Sequence, residues 1–307
     1  MTTIKVADID IVYLSYDEPN CEANWQQIKS LCPRAQRVHG VKGSDAAHKA
    51  CSALATGTHV ITIDGDNQIR PEFLNGEWQF DSTWDLEHSV LSFPARNTVN
   101  GLCYGNGGVK IWPRAVIDRM QTHETVNDGE AAGAVDFCWV LDYVLMPGVW
   151  SDVLLNHTEH QAWRAGFREG VKLALVDGHR IRDGEQWLKR QAKNNLDRLL
   201  VWLQVGLDQP NGFYTILGAR QGLHKIMLTD WDHSWVQDFD YLDEVWEREV
   251  EGLHHSRQRL LMETLGRELS VKLKLAVAEE PLSAAQSEWF KTVFKQPSRT
   301  EPRRLKA

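Results

Sequence analysis

The chain has 307 residues, 42% of them hydrophobic and 25% charged, with a formal net charge of −8. This is the balance of an ordinary globular protein, long enough for one large domain or for a catalytic domain with an appended module, and it excludes a disordered or fibrous chain. No apolar run reaches about 18 residues, so no membrane span is expected, and the polar segment Met1 to Asp8 lacks the pattern of a signal peptide; a cytoplasmic location is the expectation.

Ile9 to Leu14 reads as a buried strand. A polar loop, Ser15 to Asn20, follows it, and then a helix from about Cys21 to Leu31 that Pro33 ends. Arg37 to His39 reads as a second short strand. Gly40 to Gly43 leads into a helix from Ser44 to Ala55, with Ser44 as its N-cap and Gly57 closing it. His59 to Ile63 is a β-branched strand that runs directly into Asp64-Gly65-Asp66. Strand, helix, strand, helix, strand in about 65 residues predicts a mostly parallel sheet with right-handed crossovers and helices on both faces. In such sheets ligands sit beyond the carboxyl ends of the strands. Asp17 and the Asp64/Asp66 pair both stand at such ends, so they are expected to converge on one crevice.

Further along, Ser89 to Phe93 reads as a strand. A glycine cluster, Tyr104-Gly105-Asn106-Gly107-Gly108, precedes Val109 to Pro113, and a polar loop precedes Ala134 to Phe137. A helix begins near His160, and from about Gly184 the pattern is helical. A catalytic region over residues 1–180 and a helical region over 181–307, serving acceptor binding or oligomerisation, are expected. Cys21, Cys32, Cys51, Cys103 and Cys138 are odd in number and form no CxxC pair, which points to buried free thiols rather than disulfides or structural zinc.

The net acidity, taken alone, argues against a polyanionic partner, but the charge is uneven. Gln161 to Leu200 holds nine Lys/Arg against five Asp/Glu, while Thr229 to Gly252 holds nine Asp/Glu and Arg248 alone. The tail from Lys295 to Lys306 is basic again.

Asp64-Gly65-Asp66 carries the chemistry. Two carboxylates at the end of a buried strand repel one another unless a divalent cation lies beside them, and hard oxygen ligands suit Mn²⁺ or Mg²⁺. Such an ion would bridge to a diphosphate and neutralise a leaving group. Gly65 lets the backbone turn with no side chain in the way. Gly105-Asn106-Gly107-Gly108 lacks the spacing of a phosphate-binding glycine loop and reads as a close backbone approach to a ligand. On the helix near His160, Arg164, Arg168 and Lys172 share one face, suited to a phosphate group.

On these residues the first 175 or so positions resemble the GT-A fold of glycosyltransferases, in the broad family 2-like group. The resemblance implies a nucleotide-sugar donor. Ser15, Tyr16, Asp17 and Glu18 match the loop that holds the nucleobase and ribose, and Lys49, after His48, matches a basic residue on the helix before the DxD strand. Asp64, Gly65 and Asp66 match the DxD itself. Asn106 borders the donor sugar, and Arg164 meets its phosphates. Asp136 resembles the general base of inverting members, with Asp142, Asp128 and Glu130 as competitors and Val135 where the family shows Glu. A C-terminal His completes the metal shell in many such enzymes; His157 is the first choice, ahead of His160 and His233. The opening Leu14 to Asn20, the segment Asn156 to Gly170, and Asn211 to Arg220 are also similar to phage-encoded enzymes that glycosylate hydroxymethylated pyrimidines in DNA.

The function expected is therefore metal-dependent transfer of a sugar from a UDP-sugar to hydroxymethylcytosine in phage DNA, in the host cytoplasm. The alternative is the same chemistry on a glycan or protein acceptor. A nucleotide-sugar-binding scaffold has no need of a metal pair and a base. A nucleotidyltransferase would carry a Gly-rich basic loop after the first strand, where this chain has Ser15 to Asn20.

Overall fold

The computed structural model describes residues 1–120, 142–296 and 299–304. In chain order its elements are β1 (Thr2–Lys5), β2 (Asp10–Ser15), α1 (Cys21–Leu31), β3 (Gln36–His39), α2 (Ser44–Leu54), β4 (His59–Asp64), β5 (Asn67–Ile69), β6 (Glu77–Phe80), β7 (Ser89–Asn97), β8 (Cys103–Pro113), α3 (Arg114–Arg119), β9 (Asp142–Leu145) and β10 (Ser151–Val153). There follow α4 (Glu159–Lys172), α5 (Gly184–Arg190), α6 (Lys193–Trp202), α7 (Gly212–Leu228), α8 (Phe239–Trp246), α9 (His255–Leu273), α10 (Ala284–Val293) and β11 (Arg303–Arg304). The molecule is thus α/β at its N-terminal side and helical beyond.

The main sheet runs β11-β9-β7-β8-β4-β2-β3, with β10 beside β7 and β5 beside β10. It is mixed, which corrects the expectation of a mostly parallel sheet. β2 pairs in parallel with β3 and β4, and β7 with β9 and β10. β8 runs antiparallel to both β4 and β7. The cause is the connection: β8 is entered from β7 through residues 98–102, far too short for a parallel crossover, so the chain must turn back as a hairpin.

Period-two alternation sends the strand side chains to two separate cores. Ile11, Tyr13, Ile61, Ile63, Leu91, Phe93 and Ile111 face one side, with Ile28 of α1 and Phe80 of β6. Val12, Val60, Val90 and Trp112 face the other, with Cys51 of α2 and Ile117 of α3. Both faces of the sheet are therefore covered. The ribbon β1–β6 lies on the first side, antiparallel from Thr2 opposite Phe80 to Lys5 opposite Glu77.

A third core belongs to the helices. Trp163, Phe167 and Val171 of α4 pack in one cluster with Leu199 and Trp202 of α6, Ile216, Leu217 and Leu223 of α7, and Leu265 and Leu269 of α9. The helical core therefore begins in α4, ahead of residue 180. α4 and α7 touch through backbone. A Cβ at Gly166 or Gly170 would overlap the carbonyl oxygens of Thr215 or Ala219, and one at Gly218 or Gly222 those of Trp163 or Phe167. Two glycine pairs spaced four apart thus face each other across the crossing.

Arg220, also on α7, is fully buried. Its guanidinium donates to the carbonyls of Leu203 at 2.9 Å, Met262 at 2.8 Å, Glu279 at 2.6 Å and Ala278 at 3.0 Å. One side chain thereby ties α7 to the end of α6, to α9 and to the chain after α9. Among the described residues no helix is long and apolar enough to cross a membrane.

Candidate functional site

β4 enters the sheet as a continuous buried run and stops where Asp64 pairs with Leu14 of β2. The turn that follows is fixed from behind by its central carbonyl. The Gly65 oxygen lies 2.6 Å from the Tyr13 hydroxyl and accepts from Asn24 Nδ2 at 2.9 Å. Gln68 Nε2 donates to Asn24 Oδ1 at 2.9 Å and so orients that amide. The Asp66 carbonyl accepts from Leu154 N–H at 2.8 Å. A buried, hydrogen-bonded turn of this kind holds its side chains rigidly.

Both carboxylates open into a cavity of about 470 Å³. Asn67 Nδ2 donates to Asp66 Oδ1 at 2.6 Å, and Ser151 Oγ donates to Asn67 Oδ1 at 3.0 Å, which sets the amide's direction. Burial, then the neighbouring Asp64 charge, pushes the Asp66 carboxyl up to about 7. Gly108 forms part of the floor. A Cβ there would collide with the Asn67 amide and stand 3.0 Å from Asp64 Cβ, so the strand passes this turn only as glycine. Lys110 is buried, faces the cavity and brings its ammonium within 3.8 Å of Asp64 Oδ2. An apolar stretch of wall comes from Leu102, Val153, Leu155 and Leu173.

The loop after β2 meets the same turn through Glu18, although none of Ser15, Tyr16, Asp17 and Glu18 lines the cavity. The Glu18 carboxylate rests against Gly65 and accepts from Tyr16 N–H at 2.9 Å. Burial chiefly, then the charges of Asp17 and Asp64, holds the Glu18 carboxyl above the usual range. Tyr16 and Asp17 are exposed beside it. Ser15 is buried, and its hydroxyl accepts from Arg37 Nε at 3.1 Å and lies 3.0 Å from His39 Nδ1, so it organises β3 rather than facing the cavity.

Other residues singled out from the sequence fall elsewhere. Lys49 is exposed on α2. The buried residue of that pair is His48, whose Nδ1–H donates to the Ser44 carbonyl at 2.8 Å and whose ring meets Trp112 edge-on. Burial holds the His48 imidazole below its usual range, while the nearby Asp64 charge works the other way. Arg164 bonds Asp243 at 3.4 Å and stacks on Phe239 at 4.8 Å, with Arg168 on the same ring, so its guanidinium is committed to α8. His157 is exposed just before α4, and His160 sits 3.1 Å from Asp243. Among the described residues no three His, Cys, Asp or Glu side chains gather as a metal-binding group, so none of His157, His160 and His233 joins the aspartates. Asp136, Asp128 and Glu130 lie outside the described residues, as does the side chain of Asn106. Asp142 is described, and accepts from Ser89 Oγ at 3.1 Å on β9.

Two features were not singled out beforehand. Lys110 was signalled by a lysine inside the apolar strand run Val109 to Trp112, where a charge has no reason to be unless it is paired or used. The second is Glu169 on α4, which also lines the cavity; beside it stands Lys172, which the sequence had already grouped with Arg164 and Arg168 on one basic face. The charge asymmetry partly resolves inside the molecule: Arg164 pairs with Asp243, and Arg182 with Asp230. Lys189, Arg190 and Lys193 remain exposed about the α5–α6 junction. No family model, characterised protein or solved structure matches the chain.

Proposed function

We propose that the chain is a metal-dependent glycosyltransferase of GT-A type that moves a sugar from a UDP-sugar to hydroxymethylcytosine in DNA. One observation carries the chemistry: Asp64, which ends β4, and Asp66, in the turn after it, both line a cavity large enough for a small substrate. The pair suits a hard cation, since burial and mutual repulsion disfavour two bare anions there. Asp64 and Asp66 would hold Mn²⁺ or Mg²⁺ through their hard carboxylate oxygens. The ion, when bound, supplies neutralising charge to the diphosphate leaving group.

The chain's own residues supply the rest. The Lys110 ammonium is a second positive charge at the diphosphate end, and the Tyr13–Asn24–Gly65 contacts keep the carboxylates from turning away. Glu18, beside Gly65, would accept hydrogen bonds from hydroxyls of the ribose. The DNA acceptor rests on the resemblance of the sequence and on the exposed Lys189, Arg190 and Lys193. A glycan or protein acceptor is the second reading, favoured by the internal pairing of Arg164 and Arg182, which removes part of the basic surface.

The deciding experiment incubates the protein with Mn²⁺ and a panel of UDP-sugars, with hydroxymethylcytosine DNA, unmodified DNA or glycan acceptors. UDP release with a hexose or pentose mass gain on the modified nucleoside is the expected result. UDP release that follows only the glycan moves the acceptor to the second reading; no UDP release from any donor sinks the glycosyl-transfer reading. Asp66→Ala is expected to abolish metal-dependent turnover.

A further inference from the structure

The cavity has a second polar end, built from β8, α4 and α6. Tyr104, Glu169, Lys172 and Trp202 line it. Lys172 Nζ donates to Glu169 Oε1 at 2.9 Å, the Tyr104 hydroxyl donates to Glu169 Oε2, and Trp202 Nε1–H donates to the Tyr104 oxygen at 2.7 Å. The Arg198 guanidinium covers the Tyr104 ring at 4.6 Å. Burial, reinforced by the Glu169 charge, holds the Tyr104 hydroxyl well above its usual range, so it stays a donor.

Among the described residues Glu169 does not gather with Asp64 and Asp66 into a metal-binding group. Nor are these groups a simple structural ion pair. A carboxylate has about four acceptor positions, and the two donors named take one on each oxygen. The remaining lone pairs are available to a ligand in the cavity. Glu169 is the carboxylate that lines this cavity besides Asp64 and Asp66 among the described residues.

We infer that this end is the acceptor subsite, which takes a hydroxyl-bearing acceptor, and that Glu169 is a catalytic residue that receives the proton of the attacking hydroxyl. The inference rests on the glycosyl-transfer reading above. The acceptor oxygen forms a bond to the anomeric carbon while the bond from that carbon to the diphosphate oxygen breaks. The electron pair of the broken bond leaves with the diphosphate, and the hydroxyl proton passes to Glu169. Tyr104 and Lys172 are positioning residues that aim the carboxylate.

The test compares wild type, Glu169→Gln and Glu169→Asp. Calorimetry with UDP and Mn²⁺ reads the donor end, and acceptor-dependent UDP release at fixed pH reads the other. Glu169→Gln is expected to keep the UDP affinity within about twofold and to lose about 100-fold or more in acceptor-dependent turnover, the scale of a general base. Glu169→Asp keeps a carboxylate one methylene shorter, so it is expected to be slower than wild type but to retain more turnover than Glu169→Gln; it is the informative variant if the amide destabilises the fold. Glu169→Gln with wild-type turnover, or Glu169→Asp no more active than Glu169→Gln, overturns the assignment to Glu169 while leaving glycosyl transfer intact. A wild type that releases no UDP removes both readings together.

Discussion

The Glu18 carboxyl group rests on the bare Cα of Gly65: a Cβ at position 65 would stand 2.5 Å from Glu18 Cδ. The obstruction is the end of a flexible side chain, not backbone, so Gly65→Ala is expected to cost little stability and instead to displace Glu18. UDP affinity in Mn²⁺ is expected to fall about tenfold, equivalent to about 1.4 kcal/mol. Calorimetry checks this, and an unchanged affinity would show that Glu18 does not touch the donor.

The Asp66 carboxyl, raised to about 7 by burial and by Asp64, makes the metal-free fold pH-dependent. The unfolded chain gives up this proton near its ordinary value of about 4. The folded chain keeps it, so the stability it contributes is full below about pH 4 and is lost as pH rises towards about 7. Asp66→Asn removes that titration. Without metal, the variant is expected to gain melting temperature relative to wild type between pH 4 and pH 8, with the smallest difference at pH 4. Metal binding needs the carboxylate, so Mn²⁺ affinity is expected to rise up to tenfold per pH unit and flatten above about pH 7. A flat Mn²⁺ affinity from pH 5 to pH 8 would contradict the placement of Asp66 at the ion.

Gly218→Ala puts a methyl group against the Trp163 carbonyl oxygen across the α4–α7 crossing. The obstruction is backbone, so the helices must separate. A loss of about 1–3 kcal/mol, typical of an overpacked core, is expected by urea denaturation. Gly252→Ala meets nothing within 4 Å and serves as the control that leaves the midpoint in place.

Arg220→Met fills the same space without a single donor. The carbonyls of Leu203, Met262, Ala278 and Glu279 would lose their common partner. Each unsatisfied buried acceptor costs about 1–3 kcal/mol, so a total above about 3 kcal/mol is expected. Lys in its place keeps the charge but not the planar fork, and is expected to recover less than half of the loss. A melting curve for Arg220→Met that overlays wild type would refute the tie.

The elements up to β4 were legible because each carried its own local signal. β-branched runs marked β2 and β4, and α1 runs from Cys21 to Leu31 as read from the loop before it and Pro33 after it. The contact of the Ser15–Glu18 loop with the Asp64–Asp66 turn was also legible, since both lie at carboxyl ends of neighbouring strands, but no residue of that loop lines the cavity that Asp64 and Asp66 share. The ribbon β1–β6 was not, because two four-residue strands about 70 positions apart leave no local pattern. The sheet's reversal at β8 hid in plain sight in the short link 98–102. Lys49 came from the resemblance and Arg164 from a basic helix face; helix orientation, which neither signal contains, turns His48 inward and aims Arg164 at Asp243. Glu169 escaped notice because its meaning comes from Tyr104, 65 positions earlier.

The glycine crossing of α4 and α7 bears on how the cavity can change. Glu169 sits three residues after Gly166 and immediately before Gly170, so the carboxylate rides on a helix seated directly on another backbone. Such a seat has no compressible side-chain layer to slide on. The cavity is therefore a socket of fixed bore on this side. Acceptor preference would be retuned by exchanging wall residues such as Leu102, Leu155 and Leu173, not by shifting the helix that carries Glu169.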